Sequence, residues 1–228
     1  MPGQLGVAAP KKIVYFAVNC KCNATPTICL EYAGLTYEAQ IVDRADWPAM
    51  KPGTPTGSLP VLELDDGTQM GESAVCKKVC AAAAGLLGEG KDFGVSEMLV
   101  SMMEDFWKSH MFPNIPNRLN VGAWNAERAA QLDKALPEIE AVVAGLARFL
   151  VGPEKDRFTD AGFTVGEIDV WHRLYLLEQG PCPEIATRAG LGAFYNRMQE
   201  VEAVRKFRDG QSQFGAVPTL LVKPPALA

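Results

Sequence analysis

Ser58-Leu59-Pro60-Val61 and Gly71-Glu72-Ser73 hold the residues of this chain best suited to bind a small charged ligand. Pro60 stands at the entrance of the apolar run Val61-Leu62-Glu63-Leu64, where it cannot donate to a sheet ladder. A proline in that place often marks a cis peptide, which turns the preceding backbone groups outward. Ser73 opens an Ala/Val-rich helical stretch, and the N–H groups at such a start hold a carboxylate. Together these features describe a site that grips an extended peptide and its terminal carboxylate. Cys20-Lys21-Cys22 is a second source of chemistry, because Cys22 lies just before the first helix and thiols near a helix N-terminus become nucleophilic. Its Cys-x-Cys spacing is not the Cys-x-x-Cys of redox proteins. With His110 and His172 the only histidines, a His-based zinc site or a Ser-His-Asp triad is not expected, and no metal is called for.

The first half of the chain alternates short strands with helices to position these groups. Ile13–Ala17 is a compact apolar strand, and Thr25-Pro26 reads as an N-cap followed by proline at the first helical position. That helix runs to about Ala33, ended by Gly34, and Tyr37–Val42 is a second strand. Val61–Leu64 and Thr68–Met70 form a hairpin around Asp65-Asp66-Gly67, and a helix follows from Ser73 to about Ala84. This order predicts an α/β thioredoxin-like domain over residues 11–84, with one mixed sheet and helices on both faces. Residues 85–94, rich in glycine and charge, read as a linker. Residues 95–210 form an all-α domain, with helices at 96–112, 127–150, 165–178, 184–189 and 192–200. Residues 211–228 are a tail over the surface. Thr164 and Glu167 have the spacing of a capping box.

The 228 residues, with 48% hydrophobic and 21% charged content, suit a soluble globular protein. A net charge of −5 argues against a general electrostatic grip on nucleic acid. No apolar run reaches the ~20 residues of a membrane span, and residues 1–10 lack the basic start and apolar core of a signal peptide. A cytoplasmic protein is expected, with neither nucleic-acid nor membrane partners. Cys76 and Cys80 lie four apart on one helical face, as packed small apolar residues do.

The ordered set Tyr15-Phe16, Asp46-Trp47-Pro48 with Lys51, Pro55-x-Gly57, Leu59-Pro60-Val61-Leu62-Glu63, Ser73 and Phe163-Thr164-Val165-Gly166-Glu167-Ile168 resembles glutathione S-transferases, most closely the sigma class. That class includes glutathione-dependent prostaglandin D synthases. The resemblance covers roughly residues 11–210 and implies a glutathione transferase fold, glutathione as co-substrate and a homodimer. It implies that the Tyr15 hydroxyl favours the glutathione thiolate and that the Leu59 backbone before Pro60 pairs with the cysteinyl residue. Ser73 takes the γ-glutamyl carboxylate, Glu72 the γ-glutamyl amino group, and Trp47 and Lys51 the glycine end. Asp105 is carried over as the acid that reaches toward the neighbouring subunit's glutathione. Trp107, His110, Met111 and Phe112 are candidates for the second-substrate pocket.

The departure lies at residues 18–24, where the sigma class carries an Arg-Gly-Arg-Ala-Glu loop; its arginine has no clear match, Lys21 being the nearest cation. Omega and dehydroascorbate reductase types use a cysteine near this point, so Cys20 or Cys22 is the alternative nucleophile. The resemblance thus implies conjugation of glutathione thiolate to small apolar electrophiles, in the manner of detoxification. The rivals are a cysteine-dependent thiol transferase and a non-catalytic binding or structural protein.

Overall fold

The structure is a computed structural model that describes residues 4–16, 23–114, 125–180 and 182–215. They fall into two compact units, one running to Phe93 and taking in the segment from Glu200, the other Gly94–Gln199.

The first unit is built on a four-stranded mixed sheet in the order β2-β1-β3-β4. β1 (Lys12–Phe16) runs parallel to β2 (Glu38–Val42) and antiparallel to β3 (Val61–Glu63), which pairs with β4 (Gln69–Met70). Central β1 is buried on both faces, so its Ile-Val-Tyr run is continuous rather than alternating. Between β3 and β4 the Gly67 amide donates to the Leu64 carbonyl (3.0 Å) and the Thr68 amide to Asp66 Oδ1 (2.8 Å), closing the Asp-Asp-Gly turn.

α1 (Ala24–Tyr32) packs against α3 (Ser73–Ala84), where Ile28 and Cys29 of one helix and Cys76, Cys80 and Ala81 of the other are fully buried. α1 starts earlier than expected. Asn23 is its N-cap and Thr25 is already helical and buried. Proline is tolerated through the first turn, where no amide needs a partner four residues back, so Pro26 marks that turn and not its first residue. α2 (Trp47–Met50) covers the other sheet face.

α4 (Lys91–Phe106) begins inside the stretch read as a linker, with Gly94 within the helix. It passes into a π-helical turn, Trp107–Met111, and then α5 (Phe112–Asn114). α6 (Ala126–Leu146) keeps Pro137 in its interior and buries Leu132, Ile139, Val143 and Leu146 on one stripe. α7 (Val165–Gln179) is buried from Val165 to Leu177, as befits a helix at the middle of a helical unit. It crosses α4 closely: the Gly166 amide donates to Ser96 Oγ (3.0 Å), and a Cβ there would sit 2.8 Å from Ser96 Cα.

The expected capping box is present at the start of α7. Glu167 is a hub, its carboxylate accepting from the amides of Phe158 (2.9 Å) and Thr164 (3.1 Å) and from the Thr159 hydroxyl (2.7 Å). α8 (Ile185–Arg188) and α9 (Gly192–Gln199) complete that unit. A further helix that the sequence reading missed, α10 (Glu202–Arg208), packs on α1 in the first unit. Beyond it the Gln213 side chain accepts from the Ala39 amide (3.1 Å) and donates to the Tyr37 carbonyl (2.7 Å), closing the outer edge of β2.

Candidate functional site

Strand alternation divides β1 between the two sheet faces. Val14 and Phe16 join Val42 and Val61 in a small core completed by Trp47, Met50 and Leu59. Tyr15 lies on the opposite side of the strand from Phe16 and is 4% exposed. Its ring meets Phe16 edge-on at 5.9 Å, and Phe16 meets Trp47 at 5.5 Å, so three candidate or neighbouring aromatics are fixed in sequence along one end of the sheet. Residues 17–22, which include Cys20, Lys21 and Cys22, lie outside the described residues.

The Leu59–Pro60 peptide is cis, as the sequence suggested. Leu59 precedes β3, and among the described residues neither its amide nor its carbonyl makes a hydrogen bond. A half-buried backbone with both groups unpaired among the described residues is a place where another strand can be added.

The turn into α3 lies at the end of the adjoining hairpin. Glu72, its N-cap, has φ 70° and ψ 128°, a conformation that side chains other than glycine rarely adopt. Its carboxylate is exposed and has no partner among the described residues. The first intrahelical bond runs from the Cys76 amide to the Glu72 carbonyl (2.9 Å), so the amides of Ala74 and Val75 lie ahead of the ladder, at the positive end of the helix. Ser73 is half-buried at the first position of that turn. Behind it the Cys76 thiol faces the carbonyls of Pro60 (3.9 Å) and Met70 (4.0 Å), tying the proline loop, the hairpin and the helix together.

Trp47 opens α2, and Lys51 follows it on an exposed turn whose carbonyl accepts from the Thr54 amide (3.2 Å) and hydroxyl (2.9 Å). The Lys51 stem lies across Gly57, with Cε 3.7 Å from where a Cβ would stand. Among the described residues its ammonium has no ion pair. Around the proline loop the first unit thus brings together the Lys51 ammonium and the Glu72 carboxylate, neither with a partner among the described residues, a helix start and the unpaired backbone of Leu59. That is a complement for a short zwitterionic peptide.

In the second unit Glu104 and Asp105 separate. Glu104 reaches Arg173 at 3.8 Å, while Asp105 is exposed with no partner among the described residues. Trp107 and Met111 are buried, and the Arg173 guanidinium lies 5.0 Å above the Trp107 ring. His110 is half-buried, its ring tilted against Phe106 at 5.5 Å, and Phe112 is likewise half-buried. All four pocket candidates fall on or beside the π-helical turn, an irregularity frequent at functional sites. Neither that turn nor the packing of Thr56 against Gly71 has a local signal in the sequence. Among the described residues no three His, Cys, Asp or Glu side chains group as metal ligands, and no helix is long and apolar enough to cross a membrane.

Residues 19–82 match the family profile of the glutathione S-transferase N-terminal domain. The chain is 33% identical over 90 residues to glutathione S-transferase 2 of Manduca sexta, covering 39% of this chain and 44% of that one. It is 30% identical over 96 residues to hematopoietic prostaglandin D synthase of Gallus gallus, covering 42% and 47%. The chain therefore spans less than half the length of these curated relatives in sequence. In structure it superposes on glutathione S-transferase from Ascaris lumbricoides with a TM-score of 0.67 at 23% identity, over 86% of this chain and 94% of that one. The fold is the glutathione transferase fold, a thioredoxin-like sheet domain followed by an all-helical one.

Proposed function

We propose that this chain, a homologue of the sigma-type cytosolic glutathione transferases with their fold, binds glutathione in its first unit and conjugates the thiolate to small apolar electrophiles. Glu72 carries the reading. An exposed acid with no partner among the described residues is held in a costly backbone conformation, and such outliers persist where surrounding structure maintains them for a purpose.

In this reading the Leu59 backbone pairs with the cysteinyl residue beside Pro60, as an added strand. Ser73 and the opening amides of α3 take the γ-glutamyl carboxylate, and Glu72 takes the γ-glutamyl ammonium. Trp47 and Lys51 hold the glycine carboxylate. Tyr15 donates its hydroxyl hydrogen to the sulfur. A free thiol titrates near ~8.5, and a hydrogen bond to a charged group contributes ~1.5–3 kcal/mol, which lowers that by about one to two units. The thiol proton passes to solvent, the thiolate forms the new C–S bond, and the leaving group departs with its electron pair. The protein is cytoplasmic and a two-fold dimer, with Asp105 directed at the neighbour's glutathione and Trp107, His110, Met111 and Phe112 serving the electrophile.

The test is glutathione conjugation to an aryl halide by wild type, Tyr15→Phe and the Cys20→Ser/Cys22→Ser pair. Tyr15→Phe keeps the buried ring and loses only the hydroxyl, so kcat/KM falls about 10–150-fold while the cysteine variant keeps its rate. The reverse pattern would establish a cysteine-dependent thiol transferase, and inactivity of all three despite glutathione binding would establish a non-catalytic module.

A further inference from the structure

The loop ahead of the cis proline is seated on a glycine. Thr56 and Ser58 hold their hydroxyls 2.7 Å apart across Gly57. The Thr56 side chain lies against Gly71, where an added Cβ would stand 2.5 Å from Thr56 Oγ1, 3.0 Å from Cγ2 and 3.3 Å from Cβ. Gly71 is buried, and its φ lies outside the left-handed region, so the position needs glycine for space and not for backbone freedom. Threonine is stiff at χ1, and Thr56 cannot swing aside without surrendering its bond to Ser58.

Both ends of this contact belong to the ligand-gripping backbone. Thr56 is three residues before Leu59, and Gly71 immediately precedes Glu72 and Ser73. Cys76 bridges the same two segments from behind, through Pro60 and Met70. We propose that Gly71 and Thr56 are positioning residues, whose contact fixes the spacing between the Leu59 backbone and the Glu72-Ser73 turn. A ligand that must touch both is read through that spacing. The proposal rests on the glutathione reading for its ligand, and deepens it by naming what sets the grip.

Gly71→Ala, Thr56→Ala and the double variant are titrated with glutathione by calorimetry and assayed with an aryl halide. Gly71→Ala weakens glutathione about tenfold, equivalent to ~1.4 kcal/mol, raising KM for glutathione while kcat at saturation stays within about twofold. Thr56→Ala alone, which empties the contact, weakens glutathione about three- to tenfold, and in the double variant, where the added Cβ stands 3.3 Å from the remaining Cβ and refills it, affinity returns to within about twofold of wild type. Unchanged affinity in Gly71→Ala, or a double variant as weak as the single one, would overturn the proposal. Wild type that fails to bind glutathione at all would sink the glutathione reading and not the seat. The seat is then read from amide exchange in β3 and at Cys76 and Lys77 in the first bonded turn of α3, which Gly71→Ala accelerates and the double variant restores; no acceleration overturns it. If Gly71→Ala does not fold, recovery of folding in the double variant upholds the seat and its absence rejects it.

Discussion

Replacing Glu72 by glycine separates binding from stability. Glu72 sits at φ 70° and ψ 128°, and relieving such a conformation is worth ~1–3 kcal/mol. Glycine returns about 0.5–1 kcal/mol of that through its greater freedom in the unfolded chain. The side chain is exposed and makes no partner among the described residues, so its removal costs the fold no contact. The net is a gain of about 1 kcal/mol, or about 2–4 °C in Tm for a chain of this size. Glutathione binding moves the other way. Loss of one solvent-facing charge-assisted bond, taken at the low end of ~1.5 kcal/mol, weakens Kd about tenfold. Glu72→Gln keeps the strain and one acceptor oxygen, so it leaves Tm unchanged and weakens binding less. Thermal unfolding of the ligand-free protein and calorimetric titration read the two quantities separately. A fall in Tm of more than about 2 °C in Glu72→Gly would show that the backbone there is not strained. An unchanged Kd would remove the carboxylate from the site.

Glu167→Ala leaves the Phe158, Thr159 and Thr164 donors buried without their acceptor and costs about 4 kcal/mol or more, read as a lower urea midpoint; a loss under ~2 kcal/mol would refute its role as a hub. Burial pushes the Cys182 thiol up to about 12, with the Glu140 carboxylate adding to it. Burial likewise raises the Cys80 thiol, helped by Cys29, and the Tyr37 hydroxyl, helped by Glu31. Groups raised in the folded state stabilise it fully below their unfolded values and lose that contribution as pH climbs, so the urea midpoint falls from about pH 9 upward and falls less steeply in Cys182→Ala. Equal slopes for the two proteins would remove Cys182 from the effect. Iodoacetamide at pH 8 leaves peptides containing Cys29, Cys76, Cys80 and Cys182 unlabelled in the native protein, since all four thiols are buried; rapid labelling of any of them would contradict the packing of its helix.

What the sequence disclosed was local, and what it hid was not. Pro60 announced the cis bond, Ser73 and Gly85 bounded α3 correctly, and Thr164 and Glu167 announced their box because each signal lies within a few residues. The start of α4 was missed because Gly94, a breaker by propensity, sits inside a helix that its surroundings sustain. α10 was missed because Ala203, Val204 and Phe207 make too short a stripe among Glu202, Arg205, Lys206 and Arg208 to stand out. Of the site, Leu59, Pro60, Glu72 and Ser73 were named from type and order, and the structure supplies the unpaired backbone and the unusual φ. The Gly71–Thr56 contact joins residues fifteen apart through the absence of a side chain, which no periodicity encodes.

The return of the chain's last described residues to the first sheet bears on when that sheet can be finished. Glu31 accepts from the Ser212 hydroxyl at 3.0 Å, and Gln213 covers Tyr37 and Ala39, partners separated by more than 170 residues of sequence. A ribosome delivers β1 to β4 and their helices long before residue 213 exists. Until then β2 presents an open edge, the kind of surface on which nascent chains pair wrongly. The outer strand of the first unit is therefore sealed only after residue 213 has been made, and chains halted before α10 should be the ones that chaperones hold.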